Sequence, residues 1–156
     1  MPRWRKGEDV IDGLLDRQHL QRVAADSATA EALIVMSHHH VQSASRLCDS
    51  DPEGAFSLAY DAARKAATAL LAHQGLRPTT LGGHLAVVEA TRAQFPGVGG
   101  LKSLDRLRRR RNQGEYPDPA GYDPITAQEA SDAVIVAETT VSAARRLLEV
   151  PQLGVF

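Results

Sequence analysis

A run of arginines followed by an amide, a carboxylate and a phenol is the segment of this chain best suited to chemistry. It reads RLRRRRNQGEYPD over residues 106–118. Between Lys102 and Arg111 six cations accompany one anion, Asp105. Guanidinium groups bind phosphates and carboxylates through paired hydrogen bonds. The segment therefore predicts an anion-binding helix end, although the helix dipole alone also favours cations at a C-terminus.

The spacing separates Arg111 from the other arginines. Three leucines recur on one face of the predicted helix: Leu101, Leu104 and Leu107. Arg111 continues that apolar stripe, where an unpaired guanidinium is costly, so it needs a carboxylate, a carbonyl, an aromatic face or a ligand phosphate. We expect Gly114 to break the helix, with Glu115 and Tyr116 just beyond it. Two interpretations stay open: an Arg111–Glu115 pair internal to the fold, or an anion-binding notch at the mouth of a bundle.

Four further side chains are candidates for contacting the anion: Arg64, His84, Arg108 and Arg110. Arg64 has a carboxylate and an ammonium beside it in the sequence, so a salt bridge is the simpler interpretation of its role. His84 follows two glycines and is either held by the fold or part of one cleft with Arg111. Arg108 and Arg109 are expected to be solvated.

Other polar motifs predict neither a metal nor a cofactor. His38, His39 and His40 are consecutive, and neighbouring helical residues diverge by about 100°, so the three cannot ligate one ion together. One or two of them should face inward. The glycine-rich turn at residues 97–100 lacks the spacing and the preceding strand of a phosphate-binding loop. Tyr60 is expected in the core, with its hydroxyl bonded to a buried partner.

The elements that position these residues are predicted to be helices. The chain has 156 residues, 43% of them hydrophobic and only 4% aromatic, and it is rich in alanine and leucine, which favour helix. Turn residues and caps divide it into helices at about 12–25, 27–47, 52–73, 80–94, 101–113 and 127–150. We expect no strand. The sequence thus predicts an all-α, up-down bundle of five to six helices, with an N-terminal arm and short helix (1–26), the bundle (27–150) and a C-terminal tail (151–156).

Composition limits the settings in which the protein can act. The net charge of −1 gives no overall field that would attract nucleic acid or a membrane, so recognition must come from a local patch. One cysteine, Cys48, excludes an internal disulfide and fits a reducing compartment. Because no apolar stretch approaches the length of a membrane span, we expect a cytoplasmic protein without a membrane partner.

Three segments together resemble the HEPN superfamily of small helical bundles: AYDAARKAATALLAHQG, GGHLAVVEA and LRRRRNQGEYPD. The resemblance spans residues 27–150. Nuclease members of that superfamily carry an arginine, often followed by a polar residue, and a histidine four to six residues beyond the arginine. Arg111 and Asn112 match the start of this motif, but Tyr116 stands at one of the histidine's places and Glu115 precedes it. The chain is similar to a subgroup with this Glu–Tyr ending.

The resemblance implies a function in a toxin–antitoxin or defence-type module, with RNA or a nucleotide as ligand. Its catalytic set would be Arg111, Asn112, Glu115 and Tyr116 in a metal-independent ribonuclease that lacks the usual histidine. It also implies a homodimer in which two motifs share a cleft, and a nucleotidyltransferase-type antitoxin as a possible partner. The alternative is a non-catalytic interaction module in which the Arg/Glu/Tyr cluster is structural.

Overall fold

The computed structural model describes residues 2–156 and contains six α-helices and one small sheet. In chain order the elements are α1 (Glu8–Asp16), β1 (Leu20–Arg22), α2 (Ser27–Leu47), α3 (Pro52–His73), β2 (Leu76–Pro78), α4 (Gly83–Gln94), a 3₁₀ turn (Leu101–Ser103), α5 (Leu104–Glu115) and α6 (Ala127–Leu148). The predicted all-α helical bundle is confirmed. Within residues 2–156 no helix combines the length and apolarity needed to cross a membrane.

Helix α3 is the central element of the bundle. It packs against α2, α6, α4, α5 and β2. Eleven of its 22 residues are buried, and seven of those are alanine, whose small side chains let neighbouring helices approach from several sides. Large side chains fill the remaining space, among them Phe56, Tyr60 and Leu70. Most of the surface of α3 therefore lies against other elements of the bundle.

Local caps fix the ends of the longest helices where the sequence places them. Asp26 caps α2 by accepting a hydrogen bond from the backbone N–H of Thr29 at 2.9 Å. Helix α6 begins with a capping box, in which Glu129 N–H donates to Thr126 Oγ1 at 3.1 Å and Thr126 N–H donates to Glu129 Oε2 at 2.9 Å. Such caps satisfy backbone donors that have no partner inside the helix.

The N-terminal segment differs from the prediction. Helix α1 begins at Glu8 and ends at Asp16, so it is shifted toward the N-terminus from the expected 12–25. Gln18 then adopts a left-handed conformation with φ of 57°, which reverses the chain. Residues 20–22 form β1, which pairs antiparallel with β2 in the register Leu20 with Pro78. The expectation of no strand was therefore wrong.

Two further boundaries also need correction. Helix α4 begins at Gly83 rather than Thr80, because the Thr79 side chain is engaged with the chain reversal, donating to Gln18 O at 2.6 Å. Helix α5 passes through Gly114 and ends at Glu115, so Gly114 does not break it. A Cβ on Gly114 would come within 3.2 Å of Ile125, so the glycine lets α5 lie close to the chain that enters α6.

Both chain ends contribute to the same core as the helices. Ile11, Leu14 and Leu20 from the N-terminal segment are buried in it, as is Leu153 from the C-terminal tail. The two ends also meet each other, since Trp4 N–H donates to Val155 O at 2.8 Å. The core therefore draws on all three of the predicted segments.

The arginine-rich helix is seated by its apolar stripe. Leu101, Leu104 and Leu107 are 3%, 0% and 4% exposed, which confirms the predicted buried face. Gly100 allows the preceding turn to lie against α6, because its φ is 87° and a Cβ there would lie 2.7 Å from the backbone nitrogen of Thr140. These contacts set the rotation of α5, and with it the direction of each arginine.

We expect Leu104→Ala to lower the free energy of unfolding by about 2–5 kcal/mol, because it removes a fully buried side chain and leaves a cavity beneath α5. Chemical denaturation followed by circular dichroism measures this change. The matched control is Lys102→Ala on the exposed side of the same segment, which should change stability by less than about 0.5 kcal/mol. Equal effects of the two substitutions would show that the stripe does not anchor α5.

Candidate functional site

Tyr60 lies at the centre of the candidate site. It is 1% exposed, and its hydroxyl oxygen lies 3.0 Å from Nδ1 of His84, so α3 and α4 are joined by a side-chain hydrogen bond. The two ring centroids are 5.7 Å apart. The prediction that Tyr60 belongs to the core is confirmed, and its hydroxyl is hydrogen bonded. The partner is not the buried group that was expected, because His84 is exposed.

Arg111 reaches the same tyrosine from α5. Its Cζ lies 5.9 Å from the centroid of the Tyr60 ring, within the range of a cation–π contact. Its Nη1 lies 2.7 Å from Oε2 of Glu115. Arg111 thus finds two of the partners that its position on the apolar stripe demanded, an aromatic face and a carboxylate. Its side chain still keeps 28% exposure.

A second guanidinium, that of Arg64, comes from α3 itself. Arg64 and Lys65 both form ion pairs with Asp61, and His40 Nδ1 on α2 lies 3.0 Å from Oδ2 of the same carboxylate. The salt-bridge interpretation of Arg64 is therefore confirmed. The pairing is incomplete, because the Nε of Arg64 is buried without a hydrogen-bond partner among the described residues. Shared by two cations, Asp61 cannot neutralise both.

Arg108 contributes the third guanidinium. Its Nε and Nη2 donate to Oδ1 of Asp105 at 3.1 and 3.0 Å, and its side chain is only 21% exposed. The expectation that Arg108 is solvated was therefore wrong, because the residue lies beside the leucine stripe rather than opposite it. Arg109 pairs with the same Asp105 at 2.9 Å but is 71% exposed, so its predicted solvation is confirmed.

We call five residues the Tyr60 cluster: Tyr60, its contacts His84 and Arg111, and the two further arginines whose charge acts on the tyrosine, Arg64 and Arg108. The three guanidinium groups act electrostatically on both ring side chains. Burial raises the pKa of Tyr60 to about 12, and the three arginines oppose that rise. The pKa of His84 is lowered from 6.5, first by burial and then by Arg64 and Arg111. At neutral pH the pair is therefore an uncharged phenol and an uncharged imidazole in a positive field.

Arg110 lies outside this cluster. Its Nε donates to Oε1 of Glu129 at 2.9 Å, and its Nη2 donates to the carbonyl oxygen of Asp123 at 3.1 Å. These contacts tie α5 to the first turn of α6 and to the loop before it, and the side chain of Arg110 is only 17% exposed. The carboxylate of Glu129 holds the pKa of Arg110 above its usual value. The sequence analysis proposed Arg110 as an anion-binding residue, but in the structure its guanidinium is engaged in contacts that hold α5 against the chain around the start of α6.

Of the four residues predicted to be catalytic, some contact the Tyr60 cluster and others do not. Arg111 and Glu115 contact each other, and Arg111 also contacts Tyr60. Asn112 is partly buried, but neither its side chain nor that of Tyr116 hydrogen bonds to the cluster. Tyr116 is 77% exposed. The motif on α5 therefore supplies one guanidinium to the cluster, and the other members come from outside it.

Tyr60 and Asp61 are members or partners of the site that sequence reasoning did not assign to it. One signal points to them: Tyr60 and Arg64 are four residues apart, which places both on one face of a helix. The histidine run on α2 shows the predicted mixture, since His38 and His39 are exposed and His40 is partly buried. Within residues 2–156, no group of three or more His, Cys, Asp or Glu residues is arranged to hold a metal ion.

No protein-family model, no curated protein and no solved structure matches this chain. Its function is therefore inferred from the chemistry of the Tyr60 cluster. Three guanidinium groups that act on one tyrosine–histidine pair, with one of them over the tyrosine ring, are suited to hold an oxyanion such as phosphate.

We expect His84 to titrate with a midpoint below 6.5, because burial and the nearby arginines disfavour its protonated form. Arg64→Gln should raise this midpoint, since it removes a positive charge and leaves Asp61 less neutralised. Nuclear magnetic resonance of the imidazole nitrogens measures the titration. Arg146→Gln on the exposed end of α6 is the control and should leave the midpoint in place. An unchanged midpoint in Arg64→Gln would remove Arg64 from the cluster.

Proposed function

We propose that this protein is a HEPN-like domain that binds the phosphate of RNA or of a nucleotide at the Tyr60 cluster, within a toxin–antitoxin or defence-type module. One observation carries the proposal. Arg111 of α5 lies over the ring of Tyr60, and the charges of Arg64 on α3 and Arg108 on α5 act on the neutral tyrosine–histidine pair that joins α3 and α4. A tyrosine that only fills the core does not require three arginines nearby.

The balance of charge supports an anionic ligand. Three carboxylates neutralise the cations around the cluster, and two of them are shared: Asp61 by Arg64 and Lys65, and Asp105 by Arg108 and Arg109. Five cations, counting Arg111, thus face three carboxylates. The remaining positive charge is available to a phosphate group, which accepts several hydrogen bonds at once.

Accessibility supports it as well. The side chains of Arg64, Arg108 and Arg111 are 20%, 21% and 28% exposed. Each side chain therefore keeps some surface open to a ligand, while most of it is withdrawn from water. Electrostatic attraction is stronger in such surroundings than at a fully solvated surface.

The proposed family, oligomeric state and partner depend on the same segment of α5. Arg111 and Asn112 hold the positions at which the α5 segment resembles a HEPN motif. A homodimer would bring two Tyr60 clusters into one cleft, and a nucleotidyltransferase-type antitoxin is the partner that the resemblance favours. The α5 motif alone lacks the proton-transfer group that a metal-independent ribonuclease needs.

A second function is favoured by one specific contact. The ion pair between Arg111 Nη1 and Glu115 Oε2, at 2.7 Å, satisfies the guanidinium without any ligand. In this alternative the protein is a non-catalytic interaction module, and the pair only locks the end of α5. The two functions differ in whether Arg111 is needed for binding or for folding.

We expect Arg111→Ala to weaken binding of a mixed-sequence single-stranded oligoribonucleotide, or of ATP, by about 10- to 100-fold, because it removes a charged hydrogen-bond donor. Fluorescence anisotropy measures the affinity, and thermal melting should show that the helices remain folded. Arg46→Ala is the control, on an exposed arginine of α2. If the parent protein binds neither probe and Arg111→Ala instead destabilises the fold, the lock is the correct function.

Glu115→Gln should have the opposite effect on affinity. The substitution removes the carboxylate that competes with a phosphate for Arg111, so binding of the same probes should tighten by about two- to fivefold. Isothermal titration of the variant measures the gain, with Glu31→Gln on the exposed face of α2 as the matched control. Unchanged affinity together with lower stability would support the lock instead.

A further inference from the structure

A cleft lies between α5 and α6. Both helices pack on α3, but they make few direct contacts with each other. The apolar floor of the cleft includes Phe56 of α3, Leu107 of α5 and Ala133 of α6, which are 3%, 4% and 1% exposed. The pocket above this floor has a volume of about 280 Å³, and no residue of the Tyr60 cluster lines it.

Contacts at both ends of the cleft hold the two helices in place. At one end, Arg110 Nε donates to Glu129 Oε1 at 2.9 Å and Arg110 Nη2 donates to Glu129 Oε2 at 3.2 Å. At the other end, the turn before α5 lies against α6, where a Cβ on Gly100 would come within 2.7 Å of the backbone nitrogen of Thr140. The pocket is therefore formed before any ligand enters, which lowers the ordering cost of binding.

The mouth of the cleft carries one charge on each side. Arg106 of α5 and Asp132 of α6 both line the pocket, and both are exposed. Within residues 2–156 neither of them forms an ion pair, and the polar contact of Asp132 is a hydrogen bond that Gln128 Nε2 donates to its Oδ1 at 2.9 Å. A cation and an anion thus face the same apolar floor from opposite helices.

We propose that this cleft binds a free α-amino acid with a large apolar side chain, such as leucine or phenylalanine. The side chain packs on Phe56 and Leu107, the α-carboxylate pairs with Arg106, and the α-ammonium pairs with Asp132. An amino acid carries both of these charges at neutral pH. The proposal needs no phosphate at the Tyr60 cluster and is independent of the proposed function.

The volume of the pocket favours a ligand of this size. Pockets that hold drug-sized molecules have about 300–1,000 Å³, and they combine apolar walls with a few polar groups that orient the ligand. The cleft has that composition, but its volume of about 280 Å³ lies just below the range. It therefore suits a small metabolite better than a nucleotide or a lipid.

The charges of the cleft favour a zwitterion over an anion. Two arginines and two carboxylates line it, and Arg110 is paired with Glu129. One positive and one negative charge remain, those of Arg106 and Asp132. A phosphate would be repelled by Asp132, and an uncharged hydrocarbon would leave both groups at the mouth without a partner.

The first experiment titrates the isotope-labelled full chain with L-leucine and L-phenylalanine and follows the backbone amides by nuclear magnetic resonance. We expect shifts in residues 104–110 and 129–136, with Kd of about 10 μM to 1 mM for so small a ligand. Two analogues should bind about 10- to 100-fold more weakly than leucine: 4-methylpentanoate, which lacks the ammonium, and 3-methylbutylamine, which lacks the carboxylate. Glycine, which lacks the apolar side chain, should cause no shift.

The second experiment assigns each charge to its partner. Arg106→Gln should weaken leucine binding by about 10- to 100-fold without weakening that of 3-methylbutylamine. Asp132→Asn should weaken leucine by a similar factor without weakening 4-methylpentanoate. The matched controls are Arg109→Gln and Glu138→Gln, which change exposed residues of the same two helices outside the pocket. Because all four positions are exposed, thermal melting should show that each variant is folded.

Three results would overturn the proposal. The first is the absence of shifts in the cleft with either amino acid at about 10 mM, well above the expected Kd. The second is equal affinity for N-acetyl-leucinamide, which has the side chain but neither charge, because the cleft would then fit a side chain of a polypeptide partner. The third is undiminished leucine binding by both Arg106→Gln and Asp132→Asn. Failure of RNA or ATP to bind concerns the proposed function alone, since those probes are assigned to the Tyr60 cluster.

Discussion

The burial of α3 on several faces at once is the constraint on which the other features depend. Seven of its buried residues are alanine, and they let α2, α4, α5 and α6 approach closely. A polar side chain on this helix can then reach solvent only where two neighbours diverge. Asp61, Arg64 and Lys65 occupy such a place, and Tyr60 lies beneath them. The site is thus a consequence of packing, since charge is confined to the few directions that the core leaves open.

The apolar stripe of α5 applies a second constraint to the same place. Three leucines fix the rotation of the helix, and the fourth position of the stripe is a guanidinium rather than a hydrocarbon. A charged group on an apolar stripe needs partners, and Arg111 finds two of them in the face of the Tyr60 ring and the carboxylate of Glu115. Neither partner encloses it, so part of the group remains open to water.

The features that the sequence predicts well are those set by interactions between residues close together in the chain. The ends of α2, α3 and α6 follow from Asp26, Pro52 and the Thr126–Glu129 box, each of which acts within one helical turn. The three-residue strands are too short for any periodicity to reveal. Likewise, the burial of Arg108 and the separation of Arg110 from the cluster depend on which helix lies opposite each residue, and local sequence does not contain that information.

The position of His84 shows the limit of a linear motif most clearly. Spacing along α5 places Glu115 and Tyr116 where a histidine would serve, and from that segment alone the chemistry is incomplete. The fold brings an imidazole from α4 to within 3.0 Å of the Tyr60 hydroxyl, beside the arginine that the motif does supply. Which side chains meet at the Tyr60 hydroxyl is therefore decided by the packing of three helices, and the spacing of residues along any one of them does not reveal it.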